Sequence, residues 1–343
     1  MKALVLEKKL QLSLRDIDLP KEVHPNDVKI KMHTVGICGS DVHYYTHGKI
    51  GPFVVKEPMV LGHEGSGTVI EVGSNVSNLK VGDRVCIEPG VPDVYSKEYM
   101  KGLYNLDPKL TFWATPPDHG CLTPEVVFPS NFVFKLPENV SYAEGAMIEP
   151  LAVGLQAAEK AKIIPGETAL VMGCGPIGLV IALTALAGGC SKVFIADIVS
   201  EKLRMCKNYE NLIPIDLNKD NPSEIIDKNT DNWGVNIIFE ASGAAKAYDV
   251  IFDSICPAGR VVIVGNPMNP IPMDFATLLT KEIEIKTVFR YAHQYERAIN
   301  LLSSNKIDVK PMITDTVAFD DSIKAFERAA DNLPEDVKIQ IQL

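Results

Sequence analysis

Three side chains in the first part of the sequence could bind one metal ion. Cys38 lies in segment 36–43, and His63 and Glu64 follow in segment 62–65. A thiolate, an imidazole and a carboxylate suit a borderline-soft divalent ion, zinc above all, and would leave a coordination position open for water or substrate. Singly, the three residues also fit structural roles, as a core-filling thiol, a hydrogen-bonded turn histidine and a solvated charge. Their combination predicts a catalytic zinc site.

A second stretch, residues 168–197, could bind phosphate. It holds an apolar run, then Gly173, Gly175 and Gly178 in the spacing G-x-G-x-x-G, then a second apolar run and Asp197. The glycines would permit a tight turn, approach to a pyrophosphate and close helix–strand packing, and the helix N-terminus offers N–H groups to the anion. The predicted cofactor-binding residues are Gly173, Gly175, Pro176, Ile177, Gly178, Asp197 and Lys202.

Asp197 predicts NAD rather than NADP as the cofactor. Its carboxylate can accept a hydrogen bond from the ribose 2′-hydroxyl and would repel a 2′-phosphate, and the nearby Lys202 could reach the ribose edge. An N-cap for the next helix is the alternative role of Asp197, although Ser200 is better placed for it. The run 168–190 could also be taken for a membrane span, but its glycines and Pro176 divide it into a strand and a helix.

The surrounding pattern predicts two kinds of structure. Alternating apolar and polar residues in 1–35, and short strand patterns with glycine corners in 60–87, indicate a small, closed, antiparallel β-structure. An amphipathic helix at 151–160 and buried strands at 235–240 and 259–265 indicate alternating helices and strands, as in a doubly wound parallel sheet. Near the end, helices are predicted at 294–302 and 319–330 and a strand at 337–341.

Length and composition exclude several classes of protein. A chain of 343 residues predicts two domains. A net charge of −10 without a basic stripe argues against nucleic acid or an anionic membrane surface as a partner. The first apolar stretch is too short for a signal peptide, and seven scattered cysteines do not indicate a disulfide framework. A cytoplasmic protein is therefore expected.

Longer segments resemble a known family. Residues 36–43, 62–64, 81–85 and 148–151 look like the zinc-dependent medium-chain dehydrogenases/reductases, and 87–90, 104–106, 114–118 and 288–291 are similar to their sorbitol/xylitol (polyol) dehydrogenase branch. The resemblance covers nearly the whole chain, with the motifs in the family's order. It implies an α/β fold with a GroES-like β-rich catalytic domain at 1–150 and 289–343 and a Rossmann NAD-binding domain at 151–288.

The resemblance also implies roles for particular residues. Cys38, His63 and Glu64 match the catalytic zinc ligands, and Glu149 matches an acid that approaches the metal directly or through water. Ser40 and His43 match a proton relay of related alcohol dehydrogenases. The substrate-pocket residues carried over are Tyr44, Phe112, Thr115, Glu149, Arg290 and Tyr291.

One lobe departs from the family pattern. Many relatives carry a structural zinc in a lobe of four cysteines, and alignment puts Asp93, Ser96, Tyr99 and Asp107 in those places. None of these residues is a thiol. Since closed structural zinc sites are built from cysteine and histidine, one zinc per chain is expected.

The expected activity is oxidation of a secondary hydroxyl of a sugar alcohol to the ketose, with zinc as Lewis acid and hydride transfer to NAD. A threonine-type or sugar-acid dehydrogenase of the same superfamily is one alternative, and a non-catalytic NAD-binding protein is another. The resemblance suggests a homotetramer, for which the strand-like segment 282–289 is a candidate pairing surface.

Overall fold

The computed structural model describes residues 1–267 and 269–343, which form two compact units. The first unit comprises Met1–Glu149 and Tyr295–Leu343, and the second comprises Pro150–Gln294. The first unit is therefore assembled from both ends of the chain.

Short strands dominate the first 149 residues. They are β1 (Lys2–Lys8), β2 (Gln11–Asp16), β3 (Asp27–Gly36), β4 (Lys49–Ile50), β5 (Phe53–Val54), β6 (Met59–Val60), β7 (Glu64–Val72), β8 (Arg84–Ile87), β9 (Gly90–Val91), β10 (Thr111–Phe112), β11 (Glu125–Pro129) and β12 (Val133–Lys135). The helices among them are α1 (Gly39–His47), α2 (Lys97–Met100) and α3 (Tyr142–Ala146).

Helices and strands alternate in the second unit. They are α4 (Ile148–Ala161), β13 (Thr168–Met172), α5 (Pro176–Ala187), β14 (Lys192–Asp197), α6 (Ser200–Leu203), β15 (Leu212–Asp216), α7 (Pro222–Thr230), β16 (Val235–Glu240), α8 (Ala247–Ser254), β17 (Ile255–Ile263), α9 (Phe275–Thr280) and β18 (Glu284–Thr287). The chain then returns to the first unit with α10 (Tyr295–Ser303), β19 (Ile313–Ala318), α11 (Ser322–Asp331) and β20 (Lys338–Gln342).

The main sheet of the first unit has the strand order β12-β8-β7-β3-β20-β19, and β11 also pairs with β3. In β3 the buried Val28, Ile30 and Met32 alternate with more exposed residues, as expected for a strand with one face on the core. The core continues through β1, β7 and β8 to Phe326 of α11. β20 lies beside β3, so the last residues of the chain are part of the sheet's interior.

The second unit contains a parallel sheet of six strands in the order β15-β14-β13-β16-β17-β18. Numbered within the unit, this is the order 3-2-1-4-5-6 of a doubly wound dinucleotide-binding fold, and the order reverses between β13 and β16. The predicted α/β fold class, with a β-rich domain and a doubly wound parallel sheet, is confirmed.

Several element bounds differ from the sequence patterns by a few residues. β17 begins at Ile255, four residues before the predicted start. The bounds of α10, α11 and β20 lie within three residues of the predicted bounds. Segment 168–190 forms β13 and α5. Throughout the described part of the chain, no helix is both long enough and apolar enough to span a membrane.

The second boundary between the units follows Gln294, whereas the family resemblance implies a boundary after residue 288. The intervening residues are hydrogen bonded to α4. Ala292 N and Gln294 Nε2 both donate to Gln156 Oε1, at 3.3 and 3.0 Å, and Gln294 Nε2 also donates to Glu159. These contacts hold the segment after β18 on the second unit.

Candidate metal and dinucleotide sites

The pairing of β3 with β7 brings the three predicted metal ligands together. The two strands are antiparallel, and Gly36 at the end of β3 lies opposite Glu64 at the start of β7. Cys38 follows β3 directly and His63 precedes β7. One ligand atom from each of Cys38, His63 and Glu64 lies within 4.8 Å of the others, and among residues 1–267 and 269–343 no other group of three such side chains does so.

Asp41 connects the two ligand-bearing turns. This buried carboxylate in α1 accepts hydrogen bonds from Gly62 N at 3.2 Å and from Cys38 N at 3.4 Å. Its Oδ2 lies 3.4 Å from His63 Nδ1, but that nitrogen has no hydrogen-bond partner within the described structure. A buried, unpartnered imidazole nitrogen beside a thiol and a carboxylate fits the ligand set of a zinc ion.

The electrostatic surroundings of His63 also favour a cation. Burial by itself would lower the pKa of His63, but the charges of Asp41 and Cys38 raise that pKa well above its ordinary value. The same negative charges would attract a divalent metal ion to this position.

Glu64 is held by a lysine from the end of the chain. Lys338 Nζ donates to Glu64 Oε1 at 2.7 Å and to Oε2 at 2.8 Å, and both side chains are buried. Burial by itself would lower the pKa of Lys338, but the charges of Glu64 and Cys38 raise it. The carboxylate lies over Gly36, where a Cβ atom would come within 2.0 Å of Glu64 Oε2.

The remaining residues predicted in the first unit lie on α1, on β10 or in the turn after it, and on α4. Ser40 and His43 are half-buried in α1, and burial together with stacked His47 lowers the pKa of His43. Tyr44, Phe112 and Glu149 are buried, Thr115 is half-buried, and the Phe112 ring lies 5.7 Å from that of His63. These side chains belong to the unit that carries the metal-ligand group.

Arg290 and Tyr291 belong to the second unit. Arg290 has a left-handed backbone with a φ of 54°, and its guanidinium lies 5.0 Å from the Phe289 ring. Tyr291 is buried. Their assignment to the substrate pocket stays a prediction.

The sequence predicts no role for three buried polar residues of the first unit: Asp41, Glu88 and Lys338. Tyr104 Oη donates to Glu88 Oε1 at 2.7 Å. Burial raises the pKa of Glu88 to about 7, the Tyr104 hydrogen bond opposes that rise, and the charge of Glu149 adds to it. Asp41 and Glu88 lie inside the motifs that carry the family resemblance, which is the only signal that could have identified them.

The glycine motif lies at the carboxyl end of β13. Gly173 has a φ of 103°, a conformation that other residues rarely adopt. Asp197 Oδ2 accepts from Cys174 N at 2.7 Å, and Asp197 Oδ1 accepts from Val199 N at 2.8 Å. The N-cap of α6 is Val199, not Ser200, because Ser200 is already helical and its hydroxyl bonds to Asp216. Pro176 and Ile177 form the first turn of α5, and Lys202 lies in α6.

Hydrogen bonds hold the lobe at residues 93–107. Asp107 Oδ2 accepts from Asp93 N at 2.7 Å, and Asp107 Oδ1 accepts from Lys109 N at 2.9 Å. Ser96 caps α2 by accepting from Tyr99 N at 3.0 Å. The four positions aligned with structural zinc ligands thus take part in local contacts of the protein itself.

Gly175 and Gly178 offer a matched pair of substitutions. A Cβ atom at Gly175 would meet nothing within 4 Å, whereas one at Gly178 would lie 1.8 Å from Gly173 O. Gly175→Ala is expected to fold normally and to weaken NADH binding about tenfold, because the methyl group would occupy the approach of the pyrophosphate. Gly178→Ala is expected to lower the free energy of unfolding by about 1–3 kcal/mol. NADH fluorescence titration and thermal unfolding measure the two effects, and unaltered NADH affinity in Gly175→Ala would contradict the assignment.

The raised pKa of Glu88 predicts a pH dependence of stability. A carboxyl group whose pKa is higher in the folded protein binds more protons when folded. Its contribution to the free energy of unfolding therefore decreases as the pH rises from 4.5, the ordinary pKa of a glutamate, to about 7, the pKa of Glu88 in the fold. This decrease amounts to roughly 3 kcal/mol, and Glu88→Gln should abolish it. Denaturant unfolding at pH 5 and pH 8 measures it, and an equal pH effect in both proteins would refute the prediction.

Comparison with known proteins identifies the family. Residues 24–138 match the alcohol dehydrogenase GroES-like domain, and residues 176–304 match the zinc-binding dehydrogenase domain. The chain is similar to a D-xylulose reductase of Morganella morganii, with 52% identity over 96% of this chain and 98% of the relative. It is also similar to the sorbitol dehydrogenase of Bos taurus, with 41% identity over 98% and 95% of the two chains.

A solved structure adds to these matches. An Escherichia coli alcohol dehydrogenase complexed with the cofactor NADH has 26% identity and a TM-score of 0.92, over 100% of this chain and 99% of that one. With the two domain matches and the curated relatives, this result shows that the chain belongs to the zinc-dependent medium-chain dehydrogenases, in their polyol dehydrogenase branch, and is an oxidoreductase that uses zinc and NAD.

Proposed function

We propose that the protein oxidises a secondary hydroxyl of a sugar alcohol of the xylitol type to the corresponding ketose. The observation that carries this proposal is the convergence of Cys38, His63 and Glu64 within 4.8 Å in the unit matched by the GroES-like dehydrogenase domain. The substrate class is supported by the names of the relatives, D-xylulose reductase at 52% identity and sorbitol dehydrogenase at 41%. An L-idonate 5-dehydrogenase, which acts on a sugar acid, shares only 27% identity.

In this proposal Cys38, His63 and Glu64 hold the zinc, and Glu149 stands beside them. When bound, zinc polarises the hydroxyl to be oxidised and NAD accepts the hydride. Asp41 places a negative charge 3.4 Å from His63 Nδ1, and its contact with Cys38 N keeps the thiol-bearing turn in place. Ser40 and His43 carry the hydroxyl proton toward solvent, for which the lowered pKa of His43 leaves a neutral ring able to accept a proton.

The other hydroxyl groups of a polyol need polar partners. Glu149 can accept hydrogen bonds, Arg290 can donate them, and the hydroxyls of Tyr44, Thr115 and Tyr291 can do both. Phe112 supplies an apolar surface beside His63. We assign these residues to the substrate pocket.

The second unit is proposed to bind NAD through Gly173, Gly175, Pro176, Ile177, Gly178, Asp197 and Lys202. The support is the position of these residues at or after the carboxyl ends of β13 and β14, next to the point where strand order reverses. The first unit is correspondingly proposed to be the catalytic domain.

A homotetramer in the cytoplasm is proposed as the working form. β18 is an edge strand, and the nearby Phe275, Leu279 and Phe289 are more than half exposed, as expected for a surface that a second copy covers. The seven cysteines are free, as is usual for proteins of a reducing compartment.

A panel of polyols assayed with NAD tests the proposed activity. Xylitol, sorbitol and ribitol should be oxidised, with xylitol the best substrate and the ketose as product. Threonine and sugar acids are assayed in the same panel, because they are the substrates of the alternative dehydrogenases. Oxidation of threonine or of a sugar acid, without oxidation of any polyol, would overturn the proposal.

Metal analysis tests the zinc assignment. We expect one zinc per chain, lost in Cys38→Ser because the thiolate ligand is removed. Cys190→Ser is the control, because it removes another free thiol, which is buried and lies in the second unit. Two tightly bound zinc ions in the unaltered protein would show that the 93–107 lobe binds metal after all.

Cofactor preference tests the role of Asp197. We expect NAD to exceed NADP at least about a hundredfold in kcat/KM, on the order of 3 kcal/mol for one repulsive contact and one lost hydrogen bond. Asp197→Ser should reduce this preference mainly by weakening NAD binding. Asp227→Ser, at a half-buried acid of α7, should leave it unchanged. Equal efficiency with both cofactors in the unaltered protein would refute the assignment.

A further inference from the structure

A second acid stands beside Asp197 at the edge of the parallel sheet. Asp197 ends β14 and Asp216 ends β15, and the two residues lie opposite each other in the register of these neighbouring strands. Adjacent strands of a sheet run about 4.8 Å apart, so the two carboxylates leave the sheet at neighbouring points of one edge. A ribose that binds at Asp197 would therefore also lie near the charge of Asp216.

The carboxylate of Asp216 binds a hydroxyl and an ammonium at this edge. Asp216 Oδ2 accepts hydrogen bonds from the Ser200 hydroxyl and from Lys219 Nζ, the latter at 2.6 Å. Lys219 Nζ also donates to Ser200 Oγ at 3.1 Å. A hydroxyl and an ammonium are donors that suit a phosphate group, and here a carboxylate of the protein holds both of them.

The turn after β15 also holds the segment that follows β14. Leu217 N donates to Asp197 O at 3.0 Å, and Asn218 Nδ2 donates to Ile198 O at 2.6 Å. Asp216 Oδ1 accepts from Asn218 N at 3.1 Å, which fixes the turn itself. Residues 197–200 are thus tied to residues 216–218, and Ser200 is kept within reach of Asp216.

The contacts of Asp216 stabilise its ionised form. The hydrogen bonds from Lys219 and Ser200 lower the pKa of Asp216 to about 2, and Asp216 in turn raises the pKa of Lys219. Both groups are therefore charged at neutral pH, and each balances the other. The positive charge of Lys219 is in this way spent on Asp216 rather than on Asp197.

We propose that Asp216 is a positioning residue that excludes NADP, acting together with Asp197. Its carboxylate occupies Ser200 and Lys219, the two donors that a ribose 2′-phosphate could use, and adds a second negative charge at the same edge of the sheet. Removal of Asp197 alone leaves both donors occupied, so it does not create a phosphate site. This inference rests on the proposed NAD site and names a residue that controls its choice of cofactor.

Binding of adenosine 2′,5′-bisphosphate, which carries the 2′-phosphate of NADP, tests the proposal without catalysis. In an Asp197→Ser background, Asp216→Asn should strengthen this binding about tenfold, because Ser200 and Lys219 are released to the phosphate while the amide keeps the shape of the carboxylate. Binding of AMP, which lacks the 2′-phosphate, should change less than about twofold. Isothermal titration calorimetry measures both affinities.

Two further measurements separate this role from a merely structural one. Lys219→Met, added to the double variant, should abolish the gain, because the released ammonium carries it. The gain should also disappear in about 1 M salt, where the screening length falls to about 3 Å. Asp321→Asn is the matched control, since Asp321 of the first unit forms an ion pair of the same spacing with Lys324, at 2.9 Å. A loosened segment would instead weaken the binding of both nucleotides.

An unchanged affinity for the bisphosphate on adding Asp216→Asn to Asp197→Ser would overturn the inference, as would a gain that survives Lys219→Met. If the double variant does not fold, Asp216→Asn alone should raise the affinity for the bisphosphate relative to AMP at least about threefold, and an unchanged ratio would be equally decisive. Failure of the unaltered protein to bind NADH or AMP would instead refute the proposed cofactor site, so the two failures are distinguishable.

Discussion

The first unit depends on the pairing of charges that it removes from water. Asp41 and Glu64 are fully buried, and Glu149 is 7% exposed. An unpaired buried carboxylate costs several kcal/mol, so each needs partners in the fold itself. Asp41 obtains them from the N–H groups of Gly62 and Cys38, and Glu64 obtains them from Lys338. These partners come from the turns before β7 and after β3 and from β20, so strand pairing brings them to the buried carboxylates.

The strand order of the main sheet satisfies that requirement. β3 and β7 are neighbours in an antiparallel pair, which places Cys38, His63 and Glu64 at one end. β20 then fills the position on the other side of β3 and brings Lys338 to the same end, across 274 residues of sequence. Glu64 therefore obtains its charged partner only from the part of the chain that follows the second unit. Residues before Glu149 provide the three predicted metal ligands but not Lys338.

How far the sequence predicts each site depends on how local its determinants are. The dinucleotide motif lies within one contiguous βαβ unit, and its glycine spacing, apolar runs and final acid predict β13, α5 and β14 closely. The metal ligands needed the family resemblance as well, since 24 residues separate Cys38 from His63 and only strand pairing joins them. Neither the pattern nor the resemblance predicts Lys338, because its partner is determined by long-range register.

β20 shows why alternation alone could not reveal that lysine. Polar and apolar residues alternate at Lys338, Ile339, Gln340 and Ile341, the pattern of a strand with one wet face, yet all four are buried. The isoleucines contribute to the core, and Gln340 on the polar face donates to Ala143 O of α3 at 2.8 Å. Alternation tells which face is polar, but the element that packs on that face decides whether it is wet. Here α3 covers it through the contact of Ala143 with Gln340, so the polar face of β20 is dry because of an element that lies 197 residues away in sequence.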